Sequence, residues 1–216
     1  MYELGGRWRD APQGLFCALR PLGLQAEQAM LAATDGVNTH KGAIFTFAIL
    51  AAAGHCAVQD MRLTPQLIGA YAAKMTREPL EREFAAIHGR MPKTHGEVLY
   101  CKYGIKGVRG QAQQGFPVIT NLLCPLLQGL RRQGCDPQRV NLQLLLESMA
   151  VLEDTCILSR GTSDDLAWIQ RQAAALLAQG GAFAPDAAQK LLALNTSCVQ
   201  RNISPGGSAD FLAAAL

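Results

Sequence analysis

Apolar residues recur every three or four positions along most of this chain, the spacing that places them on one side of an α-helix. Leu24, Ala26, Met30 and Ala33 form such a side between Pro21 and Ala33, with Pro21 in the first turn. Ala43 to Ala53 is an apolar run, interrupted by Thr46 alone, that stops at Gly54, which puts His55 just past a helix end. Thr64 before Pro65 predicts an N-cap and first turn for a helix through Lys74, followed by a charged stretch from Arg77 to Ile87. Gly115-Phe116-Pro117 opens a helix to about Gln133, with Ile119, Leu123, Leu126, Leu127 and Leu130 on its core face and a kink at Pro125. Gly134 closes it, and Asp136-Pro137 starts a helix striped by Leu142, Leu145, Met149 and Leu152. Ser163, as N-cap, heads another with Leu166, Ile169, Ala173, Leu176 and Leu177, ended by Gly180. Pro185 to Leu194 reads as a short amphipathic helix, and Ser204-Pro205 as the start of a last one to Leu216. Residues 1–18, broken by Gly5, Gly6, Pro12 and Gly14, read as irregular. No strand-period alternation persists. The expected fold is all-α, a single multi-helix bundle of about eight to ten helices over residues 19–216.

Composition narrows the class. With 216 residues, 49% of them apolar, the chain is long and apolar enough to bury a core. A formal charge of +3 is too small to argue for a nucleic-acid surface. The seven cysteines are odd in number and form no C-x-x-C, which suits reduced thiols in the cytoplasm. The longest apolar run is too short to span a bilayer, and Met1 to Gly6 lacks the pattern of a signal peptide, so no membrane association is expected.

The chemistry is concentrated in polar, glycine-containing segments between the helices. In Thr34 to Phe45, Asn38, Thr39, His40, Lys41 and Gly42 precede a helix N-terminus, whose amides and dipole favour an anion. The spacing is not that of a Walker loop, and a capped helix start with a solvated Lys41 explains it equally. Glu27, one to two turns upstream, either faces this stretch or is a solvated helix-face carboxylate, the commoner case. Thr94-His95-Gly96-Glu97 has capping-box spacing, which competes with a catalytic Glu97 and a ligand-binding His95. His88 and His95 have no companion ligands at zinc spacing. Gly104, Gly107 and Gly110 alternate with Lys102, Lys106 and Arg109, the composition of a phosphate-contacting loop and of many exposed ones. Glu153 and Asp154 stand where a helix ends, an unfavourable place for carboxylates. A cation is one remedy: Mg2+ on Asp154, or an ion pair with Arg160. In Arg201-Asn202-Ile203-Ser204-Pro205-Gly206-Gly207-Ser208-Ala209-Asp210, Ser204 reads as N-cap. Two glycines inside a first turn cost roughly 1 kcal/mol each against Ala, so bare amides meeting a phosphate or ribose are expected there.

The strings GVNTHKGAIF from Gly36, THGE from Thr94, GVRG from Gly107, GFP from Gly115, Asp154-Thr155 with Arg160-Gly161, and RNISPGGSAD from Arg201 resemble the CitG/MdcB family of triphosphoribosyl-dephospho-CoA synthases. The resemblance runs from about Leu19 to the C-terminus. It implies an all-helical enzyme that joins ATP to 3′-dephospho-CoA and expels adenine. The product is the prosthetic-group precursor of citrate lyase or malonate decarboxylase, passed on to an acyl-carrier-protein holo-transferase. It further implies that Lys41, Arg109, His40 and the Ser204 to Gly207 turn hold the triphosphate, with Asn38, Thr39, Gly42, His95, Arg160, Asn202 and Ser208 around the substrates. Asp154, Asp210 or Glu97 supplies the carboxylate the reaction needs, Asp35 stands behind them, and Mg2+ on Asp154 is the expected cofactor. The chain departs from the pattern in three places. The N-terminal segment of relatives, with a PKPG-like turn and a G-x-H-x-D-M-like motif, is not found. Gln111 replaces the Glu after the R-G pair, and Thr162 replaces the second Gly of R-G-G. Two other readings follow: a truncated nucleotide- or CoA-binding remnant without turnover, and a helical module without a ligand. Convergence of the polar turns on one cleft separates the enzyme from the last.

Overall fold

The fold is that of a computed structural model, which describes residues 11–60, 63–87 and 89–216. Among these residues there are eleven α-helices and no strand. They are α1 (Pro12–Ala33), α2 (Lys41–Gln59), α3 (Pro65–Ala85), α4 (His95–Tyr103), α5 (Gly107–Gln113), α6 (Cys124–Arg132), α7 (Pro137–Val151), α8 (Thr155–Arg160), α9 (Ser163–Ala178), α10 (Ala187–Gln200) and α11 (Gly206–Ala215). A π-helical turn, Val118–Leu123, leads into α6, and a 3-10 turn, Gly181–Phe183, lies between α9 and α10.

Two apolar cores share α7 as a wall. The larger gathers Leu15, Phe16 and Leu19 of α1, Ile49 and Cys56 of α2, Met75 and Leu80 of α3, and Phe116, Leu144 and Phe211. The smaller gathers Leu99 of α4, Leu146 and Met149 of α7, Ile157 and Leu158 of α8, Ile169 of α9 and Cys198 of α10. Leu144 faces one core and Leu146 the other, so α7 is apolar on two sides. That is why the expected single stripe is only half right: Leu142 is exposed, while Val140, Leu144 and Leu146 carry the burial.

Local capping sets several boundaries as expected. Thr64 accepts from the Leu67 amide, Thr94 from that of Glu97, and Asp136 from that of Arg139. Packing overrides local breakers elsewhere. Helix α1 begins at Pro12, so the irregular start expected over 1–18 does not reach beyond Ala11; residues 1–10 lie outside the description. Pro21 is an interior residue of α1, whose burial of Leu15, Phe16 and Leu19 offsets the lost backbone bond. Helix α2 continues through Gly54 to bury Cys56 and Ala57, and His55 is therefore a mid-helix residue, not a cap. Helix α3 runs to Ala85, past the expected end at Lys74, with Pro79 inside it. The segment expected to kink at Pro125 is instead divided into the π turn and α6. Thr162, not Ser163, caps α9 in a reciprocal box with Asp165. Helix α10 spans Ala187–Gln200, beyond the expected Leu194.

Candidate active site

Helix α11 starts without a capping side chain of its own. Its N-cap is Pro205, and Ser204 makes no capping bond. The cap comes from Asp154, more than fifty residues earlier. One carboxylate oxygen, Oδ1, accepts from the Gly207 amide at 3.1 Å and the Cys156 amide at 2.9 Å. The other, Oδ2, accepts from the Ser208 amide at 2.8 Å and the Ser208 hydroxyl at 3.0 Å. Asp154 thus sits at the N-termini of α8 and α11 together, where both dipoles favour its charge. Only 2% of it is exposed, and four donors offset the loss of water. This answers the expectation of an uncompensated carboxylate at a helix C-terminus: Asp154 caps two helix N-termini, and amides rather than Arg160 pair with it. It also accounts for Gly207, because a Cβ there would lie 2.8 Å from Asp154 Oδ1. Of the amides expected to meet a phosphate at this turn, those of Gly207 and Ser208 are held by Asp154.

One turn into α11, Asp210 repeats the device. Its carboxylate accepts from the Ala43 amide, in the first turn of α2. A Cβ on Gly42 would lie 3.1 Å from Asp210 Oδ2, so the glycine permits the approach. Burial, then the negative charge of Asp154, raises Asp210 to about 6, against the opposing pull of His40 and the Ala43 amide. His40 Nδ1 lies 2.7 Å from the Thr39 hydroxyl, and Asn38 accepts from the Lys41 amide at 3.1 Å. The Lys41 ammonium pairs with Glu27 at 2.6 Å, so Glu27 is an ion-pair partner and not merely solvated. Cys156 completes the cluster against Gly206. Burial, with Asp154 and Asp210 adding to it, pushes its thiol to about 11, which removes it as a thiolate nucleophile. Asp210, half-buried and titrating close to neutrality, is the group here suited to exchange a proton.

A second polar group forms around the guanidiniums. Glu97, 8% exposed, accepts from Arg90 through both oxygens at 2.8 and 2.9 Å and from the Lys93 amide at 2.6 Å. The Arg90 fork, followed by that amide, holds its carboxyl at about 2. Glu97 is committed to charge pairing with Arg90 and takes its place in the Thr94 cap, the alternative to a catalytic role that its spacing offered. Arg109, on α5, lies 3.7 Å from Glu83 of α3.

A family model described as CitG, ATP:dephospho-CoA triphosphoribosyl transferase, matches residues 3–216. No solved structure matches the chain. The chain belongs to the CitG family. Its family activity is transfer of a triphosphoribosyl group between ATP and dephospho-CoA. In this transferase the segments holding Asn38 to Gly42, Asp154 and Gly206 to Asp210 converge, and the N-terminus of α5 joins them: Gly107 abuts Thr155, with a Cβ there 2.7 Å from its Cγ2. Glu97 and Arg109 belong to the guanidinium group, with His95 exposed at the start of α4. Arg160 is exposed and acts on Cys156 through its charge. Asn202 takes a positive φ of 54° in the turn after α10, as Asp35 does, at 51°, after α1. Gln111 Oε1 is buried without a hydrogen-bond partner among the described residues, an acceptor left for a ligand hydroxyl or amine. His88 lies outside the description. Sequence reasoning missed Arg20, Glu83, Arg90 and Cys156. Only the seven-residue spacing of Arg90 and Glu97 signalled any of them.

Proposed function

We propose that the chain transfers the 5-triphosphoribosyl group of ATP to the ribose 2′-hydroxyl of 3′-dephospho-CoA, with Asp210 as general base. The C1′–N9 bond of ATP breaks and its electron pair leaves with adenine. The 2′-oxygen of dephospho-CoA bonds to C1′, its proton passes to Asp210, and the departing adenine takes a proton from solvent. The transition state carries positive charge on the sugar, as in glycoside hydrolysis, and the Asp210 carboxylate faces it. The observation that carries this reading is Asp210 itself. It is half-buried, raised to about 6, fixed on the first turn of α2 and beside His40. Asp154 holds the turn that carries Asp210 in place.

Lys41 is half exposed at the same helix start and supplies a cation for the triphosphate. The polar surroundings do not form a metal cage. No three His, Cys, Asp or Glu side chains cluster at ligand spacing among the described residues, and the acceptor sites of Asp154 are filled. Mg2+ accordingly enters this proposal only as the counterion of the triphosphate. The product would pass to an acyl-carrier-protein holo-transferase serving citrate lyase or malonate decarboxylase. A reducing, cytoplasmic location is part of the proposal, on the strength of seven free cysteines. By length and composition alone α2 could cross a membrane, and in the fold it gives Ile49, Ala52, Ala53 and Cys56 to the larger core.

The test is adenine release from ATP by the 216-residue chain, with and without 3′-dephospho-CoA. Release that requires both substrates, and is lost in Asp210→Asn, supports the reading. ATP binding without release would leave a binding protein in its place.

A further inference from the structure

Arg20 and Arg109 come from helices far apart in sequence and share one carboxylate. Glu83 takes Arg20 on Oε1 and Arg109 on Oε2, the latter at 3.7 Å. Two positive charges meet one negative one. The guanidiniums are near enough that Arg109, after burial, lowers the proton affinity of Arg20. Each keeps more than a third of its side chain exposed, 49% for Arg20 and 37% for Arg109. The Arg20 guanidinium lies over the Phe16 ring, its carbon 5.0 Å from the ring centre. The next acid along, Glu97, senses Arg109 but is already committed to the Arg90 fork. Among the described residues the cluster therefore carries one positive charge more than the carboxylate it shares.

Its place in the fold adds the second argument. Arg20, Gly23 and Glu27 follow one another at three and four residues, on one face of α1. Glu27 ends at Lys41, beside the start of α2 where Asp210 sits. Seven residues of helix separate the two ion pairs by about 10 Å. Between them, a side chain at Gly23 would meet nothing within 4 Å, so the wall is open.

We propose that Arg20 and Arg109 form a phosphate subsite that takes the far end of a polyphosphate ester whose sugar lies at Asp210. This rests on the transferase reading and assigns Arg20 a role that no sequence motif suggested. A phosphate offers each guanidinium two oxygens and outcompetes the single shared carboxylate. Glu83 then holds the two forks in register while the site is empty and is displaced when it fills.

The experiment is titration calorimetry with sodium tripolyphosphate on the full chain, alongside adenine release. Arg20→Gln is expected to bind about tenfold more weakly, the loss of one charge-assisted fork. Glu83→Gln is expected to bind several-fold more tightly, because it removes the internal competitor. A purely structural cluster gives the opposite pattern: both variants melt lower and neither changes the affinity. Equal affinity in Arg20→Gln and wild type, or no tightening in a natively folded Glu83→Gln, overturns the proposal. Should Glu83→Gln fail to fold, Arg20→Lys decides. It keeps a cation for Glu83 but loses the fork, and wild-type affinity in it also overturns the subsite. Unchanged Arg20→Gln binding with adenine release intact sinks this subsite alone. Tripolyphosphate binding that depends on Arg20, without adenine release in the wild type, keeps the subsite and sinks the transferase.

Discussion

Glu97 and Asp210 are both carboxylates held against helix starts, and both stand in polar strings that suggest chemistry. They end on opposite sides of their ordinary values, at about 2 and about 6. Glu97 meets the Arg90 guanidinium through both oxygens, so its charge is neutralised where it forms. Among the described residues no guanidinium pairs with Asp210. Burial and the nearby Asp154 charge oppose its ionisation, and one amide with the His40 field only partly offsets them. The same functional group at the same kind of place is therefore held ionised in one region and held back from ionisation in the other, which is what the proposed base requires. The difference lies in which charges the surrounding helices deliver.

The largest expected effect comes from removing the acceptor. Asp210→Asn should lower kcat for adenine release by about 10³-fold while leaving the circular dichroism spectrum unchanged, within the range of general-base losses. In the wild type, kcat/KM should rise with pH through about 6, since the base works only when ionised. If Asp210→Asn retains the rate, or the rise lies near 4, Asp210 is not the base.

Gly207→Ala tests the geometry that places Asp210. The added Cβ would stand 2.8 Å from Asp154 Oδ1, so the carboxylate or the turn must move. A shift of this size at a positioning group is expected to cost about 10²-fold in kcat, with a lower Tm. Gly207→Ala with wild-type turnover would show that the α11 turn tolerates displacement.

The two regions differ in how far they were legible. Thr64, Thr94 and Asp136 reach amides three residues ahead, and their capping roles follow from sequence because the partners are local. Asp154 and Asp210 cap helices that are distant in sequence, and only folding brings those starts to them. The glycine pair Gly206-Gly207 signalled a close approach, but the approaching groups belong to the protein: the Cys156 thiol at Gly206 and the Asp154 carboxylate at Gly207. Burial, likewise, carried α1 through Pro21 and α2 through Gly54, against local propensity. The all-helical class was legible because the apolar spacing repeats over many turns. The sharing of Glu83 by Arg20 and Arg109 was not, since it joins α1, α3 and α5.

Stability against pH should show the same contrast with opposite signs. Glu97 is lowered from 4.5 to about 2, so its contribution is full above 4.5 and is lost as pH falls toward 2. Asp210 is raised from 3.8 to about 6, so its contribution is full below 3.8 and is lost as pH rises through 6. Urea unfolding of Glu97→Gln should have a flatter pH slope below 4.5, and that of Asp210→Asn a flatter slope between 4 and 6. Turnover of Glu97→Gln per folded molecule should stay within about threefold of wild type, the margin of a group outside the chemistry. A loss near 10²-fold would return Glu97 to the reaction.

The smallest effect should come from Ser208→Ala. Its hydroxyl is fully buried and donates to Asp154 Oδ2 at 3.0 Å, beside its own amide at 2.8 Å. Alanine keeps the amide and nearly the volume, so one hydrogen bond to a charged acceptor is lost, worth about 1.5–3 kcal/mol. For a chain of this size that corresponds to a Tm lower by roughly 3–12 °C. Asp154 retains three amide donors, and Asp210 keeps its Ala43 contact. The midpoint of the kcat/KM profile should therefore stay near 6 even as the melt shifts. A midpoint that moved with Ser208 would mean that the hydroxyl, and not the amides, governs how strongly Asp154 acts on Asp210.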